Sequence, residues 1–253
     1  MIKLPQSPVK REDLFPVVHE DGSLLVVHKP ADLVCHPTKG DEYSSLISRV
    51  RLYLGEASEG QMINRLDRET SGIVMIAKDQ ETARSLRLQW EARTVLKSYR
   101  AIVYGWPKED AFEVNAALGK DESSAVAIKD CVRTDGHASL TRFRVIEKFE
   151  RGGEPFAYLE AMPETGRKHQ IRIHLQHIGH PIVGDKLYGL DEQYYLDLVY
   201  GRLSNEQRNK LLLPHHALHA HSVTLNYQEK TTTFTSLEEP WFTEFRIVME
   251  MCE

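Results

Sequence analysis

Cysteine is scarce in this chain. The three present, Cys35, Cys131 and Cys252, stand far apart and odd in number. That argues against a disulfide-stapled fold and points to a reducing compartment, the cytoplasm. Long apolar runs are also missing. None approaches the roughly 20 residues needed to span a bilayer, so no membrane partner is expected. The first fifteen residues carry charges and prolines without an apolar signal core, so secretion is not expected either. An excess of basic charge is lacking too: the formal net charge is −5. Any binding to nucleic acid must then come from local patches rather than from the whole surface. What remains is ordinary globular composition, 41% hydrophobic and 27% charged over 253 residues, with ample material for a core.

Residues 1–15 read as a polar, proline-bearing arm. A strand over 23–27 follows the turn signal Asp21-Gly22, and a loop runs over 31–45. Apolar spacing predicts a helix over 44–54 with Ser44 as N-cap, a buried strand over 73–77, and a helix over 80–93. Alternation predicts strands over 97–105, 137–147 and 155–162, the last two joined through Arg151-Gly152-Gly153. A helix is expected from Lys168 to His177, ending before Gly179 and Pro181. Residues 204–213 read as helix, and 217–227 with 231–236 as a closing hairpin. No repeat or linker interrupts the pattern, so one compact mixed α/β domain is the simplest reading.

Three segments carry chemistry. In Asn64-Arg65-Leu66-Asp67-Arg68-Glu69-Thr70-Ser71-Gly72 a carboxylate lies between two arginines just ahead of a buried strand. Guanidinium neighbours favour its ionised form, suited to a nucleophile or general base. A surface turn held by Asp–Arg pairs fits the same residues. In Glu164 to Leu175, Thr165 and Gly166 suit a helix entry, and Arg167, Lys168 and His169 then cluster at its N-terminus. Cations there oppose the helix dipole, which makes sense if an anion such as phosphate binds, though a solvated basic face reads equally well. In Lys97-Ser98-Tyr99-Arg100-Ala101, a tyrosine near a basic cluster could stack on a base or simply fill the core.

Together these segments resemble a family. Asn64 to Lys78 is similar to the signature His-Arg-Leu-Asp-x-x-Thr-Ser-Gly with its apolar strand and Ala-Lys. Glu164 to Gly189 looks like the downstream signature, and Lys97-x-Tyr99-x-Ala101-x-Val103-x-Gly105 matches the segment between. Lys29-Pro30 to His36-Pro37 and Leu218-His219-Ala220 match the opening and closing motifs. Five motifs in order, over roughly residues 15–242, identify a resemblance to the RluA-type pseudouridine synthases.

The resemblance implies an isomerase acting on uridine in structured rRNA or tRNA. The implied fold is α/β (α+β), a single catalytic domain over 16–253 around a mixed, largely antiparallel sheet with flanking helices. No separate N-terminal RNA-binding domain is expected, nor any organic cofactor or metal, and the family default is a monomer. Asp67 is the implied catalytic carboxylate, with attack on sugar or base and sugar-proton abstraction all open as routes. Arg172 is its implied partner, and Tyr99 stacks on the uracil. Arg65 is implied in displacing the nucleotide; Arg68, Thr70, Arg167, Lys168 and His169 are the expected RNA contacts. Arg84, Arg87, Arg93, Lys97 and Arg100 supply further cations for a basic cleft.

Two departures stand out. Asn64 replaces the usual histidine, and its amide can still donate and accept. Asp32 replaces a glycine after Lys-Pro-Ala, which puts the turn there in question. Two rival readings remain. One is a metallohydrolase built on the histidines, with His215 and His219 at an i, i+4 spacing. The other is a non-catalytic RNA-binding or RNA-chaperone protein on the same fold.

Overall fold

The computed structural model describes residues 14–37, 44–55 and 60–247. Residues 1–13 of the expected arm lie outside them. Leu14 and Phe15, also assigned to that polar arm, are instead buried in the core.

The described residues open with β1 (Val17–Glu20), a strand the sequence reading missed, turned back by Asp21 into β2 (Leu24–Lys29). The Asp21 carboxylate caps this turn by accepting the amides of Ser23 and Leu24. Helix α1 (Leu46–Leu54) follows, and Ser45 rather than Ser44 is its N-cap, accepting the Ser48 amide. Then come β3 (Gln61–Met62), β4 (Ser71–Ala77) and α2 (Gln80–Glu91), the last capped by Asp79. After β5 (Leu96–Tyr104) there are three short strands that alternation did not reveal: β6 (Ala111–Asn115), β7 (Leu118–Lys120) and β8 (Asp130–Val132). The long pair β9 (Leu140–Arg151) and β10 (Glu154–Pro163) turns at Gly152-Gly153 as expected. Helices α3 (Gln170–His177), α4 (Gln193–Val199) and α5 (Asn205–Leu211) precede the hairpin β11 (Leu218–Tyr227) and β12 (Lys230–Thr235), and α6 (Pro240–Arg246) closes the described chain.

These elements form two compact units, one of residues 1–95 with 222–237, the other of 96–221 with 238–253. In the first, β1, β2 and β4 pair antiparallel in that order, and β3 also pairs with β4. All seven residues of β4 are buried, because both faces of the strand are covered. Val74 and Ile76 join Leu25, Val27, Leu46 and Val50 on the α1 side. Ile73 and Met75 join Leu24, Val26 and Leu86 on the α2 side. A strand buried on both faces reads as a continuous apolar run. Each such Val, Ile or Leu contributes about 1.5–3 kcal/mol of burial, so the start of β4 is a rigid anchor.

In the second unit, β5, β10, β9 and β6 pair antiparallel in that order. Ala101, Val103, Phe143, Phe156, Leu159, Ile171 and Leu175 form its main core. The fold class is therefore the expected α/β, with largely antiparallel strands and flanking helices.

Candidate active site

The Asp67 turn is held from behind at alternate positions. Asn64 donates its side-chain amide to the Ile73 carbonyl (3.0 Å) and accepts the Met75 amide (2.9 Å). It thus extends the β3–β4 pairing by one side chain, its amide both donating and accepting as expected. Leu66 exchanges two hydrogen bonds with Cys35: its amide donates to Sγ, and the thiol donates to its carbonyl, both at 3.4 Å. Burial pushes the Cys35 thiol up, so it stays protonated and able to donate. Arg68 is held through its carbonyl, which accepts from Lys29 Nζ at 2.9 Å. Lys29 is fully buried and also donates to the carbonyls of Pro30 and Leu33. Between these clamped residues lie Arg65, exposed, and Asp67, half-buried. The Asp67 carbonyl accepts the Thr70 amide at 3.2 Å, closing a turn that leads straight into β4.

Lys29 faces Gly72 across the β2–β4 pair, so its ammonium links the Lys-Pro segment to the Asp67 turn. Replacing it with methionine leaves three carbonyls without that charge-assisted donor. A Lys29→Met variant is expected to lose about 2–4 kcal/mol in a denaturant titration. An unchanged midpoint would show that the ammonium does not hold the turn.

The Asp32 departure has a definite outcome. Asp32 keeps the left-handed conformation a glycine would take (φ 67°), and its carboxylate accepts from Arg68 Nε at 2.7 Å. Both side chains are more than half exposed, so the pair adds little stability. Arg68, expected to meet RNA, is therefore engaged by a carboxylate. Thr70 is buried. Arg65, Arg84, Arg87 and Arg93 are exposed, and no acid pairs with them among the described residues.

Tyr99 is half-buried on β5, opposite Ala161 of β10. Its neighbour Arg100 is not an available cation. Arg100 Nη1 donates to Glu160 at 2.8 Å, and Arg144 and Ser98 donate to the same carboxylate. Burial alone would raise Glu160, but these donors bring it down to about 2.

The segment before α3 departs from expectation. The helix starts at Gln170, not Lys168, and its N-cap is His169 in the left-handed conformation (φ 55°). Thr165 is no helix entry. Its hydroxyl donates to the Gln170 side chain at 2.6 Å and accepts the Leu140 amide. Gln170 in turn accepts the Arg167 amide and donates to Leu140 and Thr141, so one buried amide closes the turn. Arg167 is exposed, with its Nε 3.5 Å from the Ala138 carbonyl. Lys168 pairs with Asp130 at 3.0 Å, and the His169 ring meets the Tyr188 hydroxyl at 2.9 Å.

Arg172 is buried on α3 and forms a fork with Asp185: Nε donates to Oδ2 at 2.6 Å and Nη2 to Oδ1 at 2.9 Å. Its guanidinium carbon lies 4.9 Å from the centre of the Tyr188 ring. Burial alone would raise Asp185, but Arg172 and backbone amides hold its carboxyl far below the usual range. Sequence reasoning assigned no role to Asp185 or Tyr188, although both stand in the downstream motif.

Among the described residues no three His, Cys, Asp or Glu side chains are grouped to hold a metal ion. His219 lies in β11, so the His215–His219 spacing is not that of one helix face.

A sequence model described as RNA pseudouridylate synthase matches residues 23–177. The chain belongs to the RNA pseudouridylate synthase family. Among relatives in this family, it is 34% identical over 204 residues to ribosomal large subunit pseudouridine synthase C of Vibrio parahaemolyticus, covering 75% of this chain and 62% of that protein. It is 32% identical over 227 residues to ribosomal large subunit pseudouridine synthase D of Neisseria meningitidis, covering 88% of this chain and 57% of that one. The chain thus spans less than two thirds of the length of these curated relatives. The solved structure of human RNA pseudouridylate synthase domain containing 1 superposes with a TM-score of 0.70 at 25% identity, covering 92% of this chain and 86% of the human one. The RluA-type resemblance of the motifs and the family match agree.

Proposed function

We propose that this protein is an isomerase that converts uridine to pseudouridine within a structured RNA, with Asp67 as the catalytic carboxylate. The observation that carries the reading is the clamped Asp67 turn at the head of a doubly buried strand, in a chain of this family. A carboxylate that must meet one sugar or base atom gains from a backbone that does not reorganise.

The reaction breaks the bond from the ribose to N1 of uracil and forms one to C5. The C5 proton leaves and N1 gains one, so nothing is oxidised and no co-reactant is consumed. Tyr99 stacks on the uracil while it turns, and Arg172 stabilises the charge on Asp67. Arg65, exposed beside Asp67, helps displace the nucleotide from its stack, which takes a few kcal/mol. Thr70 shapes the turn. Arg68, Arg167, Lys168 and His169 flank the RNA, with Arg68 and Lys168 exchanging their carboxylate partners for phosphates on binding.

The names of the relatives support large-subunit ribosomal RNA as the substrate class, with transfer RNA as the second class to test. The compartment is the cytoplasm. Purified protein incubated with transcripts of both RNAs, followed by chemical mapping of pseudouridine, tests the assignment. Conversion at a discrete uridine in either supports it, and no conversion in either counts against it. RNA binding should also weaken with salt as counterions are displaced. For about three phosphate contacts, raising salt from about 50 to about 200 mM is expected to lower affinity about 20–40-fold. A salt-independent affinity would contradict the basic-surface component.

A further inference from the structure

We infer that Asp185 is the positioning residue for Arg172: it fixes the plane and direction of the guanidinium that the proposed reaction uses. The inference rests on the assignment of Arg172 to the reaction and goes beyond it, because it names what holds that arginine.

Arginine has a long side chain with several rotatable bonds, and its usefulness beside a reacting group depends on where its fork points. On α3 that freedom is removed from two sides. Asp185 takes Nε and Nη2 in a bidentate pair at 2.6 and 2.9 Å, the geometry in which planar fork meets planar carboxylate. The Tyr188 ring lies under the guanidinium, its centre 4.9 Å from the guanidinium carbon.

The carboxylate is itself immobile. Asp185 is 1% exposed, and Oδ1 also accepts the amides of Leu187 and Tyr188, both at 2.9 Å. The loop that carries it is tightly framed. A side chain at Gly189 would meet the Asp185 carbonyl at 2.1 Å, and one at Gly184 would meet the His215 carbonyl at 2.3 Å. Tyr188 is fixed in turn, since its hydroxyl accepts the Asp130 amide and meets the His169 ring. Loop, ring and carboxylate thus converge on one arginine.

The two oxygens of Asp185 do different jobs, which allows a clean test. Oδ1 serves the loop amides and Nη2, while Oδ2 serves Nε. In Asp185→Asn the amide oxygen can keep the Oδ1 bonds, and the loop with them. The amide NH2 then faces the Nε–H of Arg172, donor against donor, and the fork opens. A purely structural role in the loop predicts a folded variant with normal kinetics. The positioning role predicts a kcat lower by about 10²-fold, with KM within about threefold of wild type.

The experiment is single-turnover and steady-state pseudouridine formation by wild type, Asp185→Asn and Asp67→Asn on one RNA, with thermal unfolding of each. A second measurement covers a variant that fails to fold. In a 15N-correlated spectrum of the wild-type protein, the Arg172 Nε–H, assigned through Arg172→Lys, should exchange with water far more slowly than exposed arginines. A folded Asp185→Asn with wild-type kcat overturns the inference, and so does a rapidly exchanging Arg172 Nε–H. An active Asp67→Asn overturns the proposed function instead, so the two failures are distinct.

Discussion

Asp67→Asn is expected to lower the rate of pseudouridine formation by at least about 10³-fold, the scale set by removing an essential nucleophile or base. The amide is nearly isosteric, and Asn64, Cys35 and Lys29 hold the backbone of the turn around it. The loss should sit in kcat rather than in RNA affinity, because the carboxylate acts on the reacting nucleotide and not on the phosphates. A variant that keeps a tenth or more of the wild-type rate would remove Asp67 from the mechanism.

The largest stability effect is expected at Arg172. Arg172→Met removes one partner of a buried pair and leaves the Asp185 carboxylate, 1% exposed, with backbone amides as its remaining described donors. Breaking such a pair typically costs about 3–5 kcal/mol. The effect carries a pH signature. In the native protein Asp185 lies below its unfolded value, so its contribution is complete above about pH 3.9 and is lost as pH falls toward the folded value. Without Arg172, burial dominates and raises the same carboxyl, so acid relieves the variant while it weakens the wild type. The stability gap between the two should be widest near neutrality and narrow below about pH 4, as measured by denaturant titration at several pH values. A gap independent of pH would mean that lost packing, not the pair, accounts for the effect.

Much of the site was legible where its residues are contiguous. The Asn64–Gly72 stretch and the apolar run behind it identify both the turn and the doubly buried strand. What holds the turn was not legible, because Lys29 meets Arg68, and Cys35 meets Leu66, only in the folded chain. Asp32 was visible as a departure. Its left-handed backbone and its capture of Arg68 are three-dimensional facts that its residue type does not disclose. The start of α3 was misplaced because capping rules favour Thr165 and Gly166, whereas Gln170 draws the Thr165 hydroxyl into its own network and defers the helix. Arg100 looked like an RNA-facing cation until Glu160 arrived from the neighbouring strand. Strands β6 to β8 span only three to five residues each, too few for a period to show. The two compact units left no linker in the sequence, since the chain passes between them at the start of β5, within β11 and again just after β12.

The central claim is tested most directly by mapping pseudouridine in total RNA from cells that carry the wild-type gene, a deletion, or Asp67→Asn expressed at the wild-type level. The account predicts at least one uridine that is modified with the wild-type gene and unmodified in both altered strains. Modification restored in full by Asp67→Asn, or no site that differs among the three, would contradict it.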